Sequence, residues 1–239
     1  MFKKIIPVVI LFLSAIETTA QTQFTGWFAA FNTFSNKGKA SIHLDVQVRS
    51  SDEFKYMQTF LARTGINIKL RNNLIATGGY AYISNRRSVG PVTGYAPEHR
   101  IWEQLVVTHP LFHSSLAHRF RLEHRFISTS SVQGNELEND GNVFANRFRY
   151  FFRTILPFNK QKPFDKGWFG ALQNEVFFNI GDKSHVNGKT FDQNRAYVAA
   201  GYRLSPAVDL ETGYLNQYVT GRSGFTNNHV FQIAVYTKL

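Results

Sequence analysis

The 239-residue chain carries 27 Lys and Arg against 16 Asp and Glu, a formal charge of +11, with 23 Phe, 10 Tyr and no cysteine. The missing cysteines exclude disulfides, thiolate metal centres and a cysteine nucleophile. The positive balance would suit a nucleic-acid binder, but the arginines recur at alternate positions rather than in blocks. That pattern argues against nucleic acid and for a charged lining or contact with anionic head groups.

The chain opens Met1-Phe2-Lys3-Lys4, followed by an apolar run from Ile5 to Ile16 and a small-residue site, Thr18-Thr19-Ala20. Lysines, a short apolar core and a small-residue site predict a secretory signal peptide over residues 1–20. The run is short for a membrane anchor. Residues 21–239 have the length of one domain, and no later stretch is apolar for long enough to make a membrane helix.

Period-two alternation then recurs along the whole chain and predicts strands. The segments are 24–34, 40–49, 56–70, 74–83, 100–108, 116–128, 142–156, 168–180, 191–204, 207–219 and 228–237. The polar or breaker-rich stretches 85–97, 129–141, 181–190 and 220–227 read as loops. Shorter links fall at 36–38, 71–73, 109–113 and 205–206. Counted back from the C-terminus, the four longer loops lie on one side and the short links on the other, as in an outer-membrane barrel. The link 157–167 is long for that pattern. The segment 24–34 breaks the even parity of such barrels, because it would begin on the wrong side. The predicted fold is therefore all-β: a single antiparallel transmembrane β-barrel of about ten strands, with twelve as the alternative.

The alternation also predicts a lumen face. In Arg119-Phe120-Arg121-Leu122-Glu123-His124-Arg125-Phe126, the residues Arg119, Arg121, Glu123 and Arg125 share one face. Phe120, Leu122, His124 and Phe126 take the lipid side. On the next strand Arg147, Arg149 and Arg153 point inward and Phe148, Tyr150 and Phe152 outward. Glu175, Asp209 and Glu211 supply counter-charge, while Arg100, Gln193, Arg195 and Gln217 extend the polar lining. Such a narrow interior reads first as a packed, self-satisfied polar core, which must be well paired to offset desolvation. It reads second as an arginine-lined site for an anionic ligand. Trp27, Trp102 and Trp168 lie near segment ends and suit interface anchoring, and Tyr80, Tyr82, Tyr202, Tyr214, Tyr218 and Tyr236 suit aromatic girdles.

Motifs for chemistry are missing: there is no Gly-rich phosphate loop, H-E-x-x-H or G-x-S-x-G. Histidines and serines between His99 and Ser128 are close in sequence, which does not place them together in a sheet. No catalytic residue, metal ligand or cofactor is assigned.

Several segments carry a family resemblance: E-H-R-I-W-E-Q at 98–104, R-F-R-L-E-H-R-F at 119–126, R-F-R-Y at 147–150 and N-E-V-F-F-N at 174–179. F-D-Q-N-R at 191–195, G-Y-R-L-S-P at 201–206, G-Y-L-N-Q at 213–217 and N-H-V-F-Q-I at 228–233 continue it. The chain resembles the DUF2490 family of bacterial outer-membrane proteins over nearly all of its predicted mature length. The resemblance implies a cell outer-membrane location and a barrel fold, and no activity. The sequence reading is a monomeric barrel of structural, binding or accessory role, in contact with outer-membrane lipids and with either a small anionic solute or an envelope protein as its further partner. The alternatives are a narrow pore for small anionic solutes and an envelope lipid-modifying enzyme.

Overall fold

A computed structural model describes residues 20–35, 38–111, 114–159 and 163–239. All but the last residue of the predicted signal peptide, and parts of the links 36–38, 109–113 and 157–167, lie outside the described residues. Among the described residues eleven strands form: β1 (Ala20–Ser35), β2 (Ala40–Ser50), β3 (Met57–Arg71), β4 (Leu74–Val89), β5 (Val92–Leu111) and β6 (Ser114–Gln133). They continue with β7 (Glu136–Pro157), β8 (Gly167–Ile180), β9 (Phe191–Ser205), β10 (Val208–Thr220) and β11 (Phe225–Lys238). Each pairs with its sequence neighbour, and β1 meets β11 to close the barrel.

Among the described residues the strand number is eleven, between the expected about ten and the alternative of twelve. The segment that broke the parity is a full strand, paired antiparallel with β2 and parallel with β11, with Phe24 opposite His229 and Ala29 opposite Ala234. An odd number of strands in a closed meander makes the first and last run the same way. A parallel seam therefore replaces the missing partner and leaves no unpaired backbone edge in lipid.

Two stretches expected to be loops are hairpins. Residues 85–97 pair within the β4–β5 ladder up to a two-residue turn at Gly90-Pro91. Gly90 sits there at φ 57°, in the left-handed region that glycine tolerates. Residues 129–141 pair within β6–β7 up to Gly134. Both are polar because they stand above the apolar band, and polarity does not prevent backbone pairing. Pro97, which looked like a breaker, pairs with Ser84 on one side, and β5–β6 pairing begins only at Glu98. Its missing N–H thus leaves no ladder bond unmade.

The outward face carries exposed Phe28, Ile42, Ile66, Ile101, Val198, Phe231 and Ile233. A protein in bulk water would close such a surface against another layer; here it encircles the barrel and meets lipid. The ends bearing the short links and the C-terminus of β11 form the periplasmic rim, and the long hairpins stand on the outer side. Trp168 and the tyrosines at 80, 82 and 214 are exposed on the outer wall. Trp27 and Trp102, expected at the interfaces, are instead buried inside. Tyr236 is also inward, bonded to Glu211 at 3.3 Å. Strand-end position did not reveal this; their alternation with the outward neighbours Phe28, Ile101 and Val235 does. Trp102 lies flat where Gly65 and Gly79 have no side chains: a Cβ on Gly79 would come within 2.6 Å of its ring.

Candidate functional site

Because the strands alternate, every second side chain of the charged segments enters a lumen too narrow for bulk water to solvate them all. Arg121, Glu123, Arg147, Arg149, Arg100, Glu175, Gln193, Glu211 and Gln217 are buried there. Arg119, Arg125, Arg153 and Arg195 are inward and part-buried.

Glu123 is the hub. Arg147 donates two hydrogen bonds to it, at 3.0 and 2.7 Å, and Arg149 one at 2.5 Å. Arg149 also reaches Glu175 at 2.6 and 2.9 Å, and Arg119 joins the same carboxylate at 2.6 Å. Arg147 continues to Asp192 at 2.9 Å. Arg100 and Arg125 share Glu98, at 2.7 and 2.6 Å, and Arg100 lies 3.6 Å from Glu123. One connected network therefore spans strands β5 to β9. Arg153 pairs separately with Glu211, and Arg63 with Asp45 at 3.1 Å. Asp209, expected to serve the arginine face, instead pairs with Arg203 near the periplasmic rim at 2.7 Å.

The alternation also puts Asp45 and Arg49 on the polar face of their strand, where His43, Asp45, Gln47 and Arg49 alternate with Ile42, Leu44, Val46 and Val48. It puts the polar members of 98–104 and 191–195, Glu98 and Asp192 among them, in the interior. Arg63 is the member of this lining that sequence reading missed.

The network does not use up the positive charge. Among the described residues, the arginines that line the interior include Arg49, Arg63, Arg87, Arg100, Arg119, Arg121, Arg125, Arg147, Arg149, Arg153 and Arg195. They face fewer carboxylates, among them Asp45, Glu98, Glu123, Glu175, Asp192 and Glu211. Among the described residues, Arg49, Arg121 and Arg195 have no carboxylate within 4.0 Å. Arg49 donates to Gln47 at 2.7 Å, Arg195 to Gln193 at 3.1 Å and Arg121 to Gln104 at 2.6 and 3.0 Å. Their guanidinium planes rest on rings instead. Arg49 and Arg195 lie 4.0 and 5.0 Å from Trp27, and Arg121 lies 4.5 Å from Trp102. Ring stacking leaves the N–H edge of a guanidinium available to a planar anion.

Cavities that share lining residues follow one another along the lumen. Two open outward, of about 410 and 500 Å³. A central one of about 180 Å³ shares Arg49, Thr59 and Gln217 with the first, and Arg147 and Gln193 with the second. An inner cavity of about 320 Å³ shares Arg49, Arg63, Arg149 and Arg195 with the central one. The loop 181–190 folds over the outer mouth, where Asn187 donates to the carbonyl of Thr220 at 2.9 Å. There the Ser184 amide donates to Asp182 at 2.9 Å and holds that carboxyl below its usual range.

The outer wall answers the question of a catalytic cluster. His124 faces lipid as expected, fixed by Asn146 at 2.7 Å and Glu103 at 3.3 Å. Among the described residues, no histidine between His99 and His124 hydrogen-bonds a serine, and no group of three or more His, Asp or Glu could hold a metal.

A closed meander, antiparallel except at the β1–β11 seam, with an apolar outer belt and a charged, ion-paired interior defines a porin-like outer-membrane β-barrel. The chain belongs to the DUF2490 family, described as proteins of unknown function, which it matches over residues 24–229. It is similar in fold to the crystal structure of the NanC porin in a rhombohedral form. The TM-score is 0.52 at 12% identity, over 90% of this chain and 98% of that one. No curated protein sequence matches the chain.

Proposed function

We propose that the barrel is a narrow pore that passes small anionic solutes across the outer membrane. The observation that supports this most is Arg49. It borders an outer, the central and the inner cavity, and has no carboxylate partner among the described residues. Arg195 borders the last two in the same state. A packed core built only for stability gains nothing from guanidiniums without a counter-charge, because an amide partner and a ring face offset only part of their desolvation. Charges of one sign along a narrow passage attract the opposite ion and repel the like one, which is how arginine rings select anions.

The test is single-channel recording of the folded, purified protein in planar bilayers under a KCl gradient. Chloride-selective steps, with the reversal potential moved toward cation selectivity in Arg49→Glu and Arg195→Glu, are expected. Silence from demonstrably inserted protein would reject the pore and favour a binding or accessory barrel. Cation-selective steps in the unaltered protein would reject the role given to the arginines.

A further inference from the structure

The cavities differ in chemistry along the axis. The outer cavity at β1–β2 is walled by amides and hydroxyls such as Gln23, Ser50 and Asn228. The inner cavity, toward the periplasmic rim, adds a ring-lined wall to its arginines and to the amides of Gln47, Gln104 and Gln173, with the Glu175 carboxylate beside them. Phe31 and Tyr236 stack there at 4.8 Å with planes 15° apart, and Phe151 and Trp27 join them. Cationic groups stand on this apolar floor: Arg119 lies 4.3 Å over Phe151, and Arg49 lies 4.0 Å over Trp27. The Nε atoms of Arg49 and Arg119 are both buried without a hydrogen-bond partner. At about 320 Å³ the cavity falls at the lower end of the ~300–1,000 Å³ typical of small-molecule sites.

We infer that this inner vestibule binds amphiphilic organic anions, a carboxylate or sulfonate joined to a ring or a compact apolar body. The inference rests on the pore reading for its physiological meaning. The head group takes the unused N–H edges of the stacked guanidiniums, which suit planar, two-oxygen acceptors. The body lies against Phe31, Phe151 and Tyr236, and its burial is favourable. A polyhydroxylated anion of the same charge and size fits poorly. Those of its hydroxyls that lie against Phe31, Phe151 and Tyr236 would leave water for ring faces that cannot replace the lost hydrogen bonds, whatever the amides opposite supply to the rest.

Cyclohexanecarboxylate and quinate make the test, since they share a ring and a carboxylate and differ in hydroxyls. Each is titrated against the chloride current of the inserted, full-length folded barrel, and separately against its thermal midpoint in detergent. Cyclohexanecarboxylate is expected to block from one side at a concentration about ten- to a hundredfold lower than quinate, and to raise the midpoint at correspondingly lower concentration. Phe151→Gln should shrink that preference while chloride conductance persists. Equal potency of the two anions in both assays would overturn the inference and leave the pore standing. A barrel that carries no current yet is stabilised selectively by cyclohexanecarboxylate would remove the pore and keep the site. If Phe151→Gln fails to fold, Phe31→Gln provides the same comparison on the facing wall.

Discussion

Removing the charge of Glu123 tests whether the lumen is held by its ion network. Glu123 is 1% exposed and receives three hydrogen bonds of 2.5–3.0 Å from Arg147 and Arg149, with Arg100 at 3.6 Å. Glu123→Gln keeps the shape and removes the negative charge. Arg147 retains Asp192, and Arg149 retains Glu175, so neither is stranded, but three guanidiniums lose their common counter-charge. Breaking one side of a buried pair costs about 3–5 kcal/mol. For a domain of this length each 1 kcal/mol moves the thermal midpoint by about 2–4 °C, so a fall of about 6–20 °C is expected. The assay is loss of the β-sheet circular dichroism signal on heating in detergent, with heat-modified electrophoretic mobility as the second probe. The double variant Glu123→Gln/Arg149→Gln should recover part of the loss, because it removes one of the opposed positive charges. A midpoint within 2 °C of the unaltered protein would refute the reasoning; water in the lumen would then screen these charges as well as it does at a surface.

Three further outcomes follow from single positions. Arg121→Ala removes a guanidinium that is 1% exposed and leaves the Gln104 oxygen without its donor, a loss of about 1–3 kcal/mol. Thermal stability in detergent should fall while fractionation still finds the protein in the outer membrane. Gly79→Val places a side chain within 2.2 Å of the Thr64 carbonyl and 2.6 Å of Trp102, an overpacking of about 1–3 kcal/mol. Gly78→Ala, one residue along, meets no atom within 4 Å; its midpoint should stay unchanged, and a fall as large as that of the valine variant would remove the explanation by the Trp102 contact.

The two faces were legible in the sequence because period two survives wherever one face meets lipid and the other a charged interior. The arginine lining, the outward phenylalanines and the position of His124 all came from that alternation. What did not come through depended on partners outside the local window. The parallel β1–β11 seam joins residues about 205 apart, Phe24 with His229 among them, and parity rules for even barrels made a real strand look anomalous. The β4–β5 and β6–β7 hairpins looked like loops because hydropathy reports the membrane band and not backbone pairing. The fate of Trp27 and Trp102 required counting the alternation through each strand rather than its distance from an end. The site itself was half legible: the charged residues could be named, but Arg49 and Arg195 become distinct only once the carboxylates have been assigned to other arginines.

Those two residues make a prediction that separates a lumen built for anions from one that is merely crowded. Both guanidiniums rest on Trp27, at 4.0 and 5.0 Å, so they stand no more than about 9 Å apart. With an effective dielectric constant of about 20, two unit charges at that distance repel by about 2 kcal/mol. An anion bound between the cavities relieves this repulsion and stabilises the folded barrel in proportion to its occupancy, by about 2.7 kcal/mol at a hundred times its dissociation constant. The thermal midpoint should therefore rise as chloride replaces a bulky, excluded anion at constant ionic strength, where general screening is held fixed. In Arg49→Gln/Arg195→Gln the dependence should flatten, and in low chloride the variant should be more stable than the unaltered protein despite losing two stacked side chains. A chloride dependence equal in both proteins would mean that the unpaired guanidiniums are not where the anion acts. The lumen would then owe its positive excess to charges elsewhere on its wall.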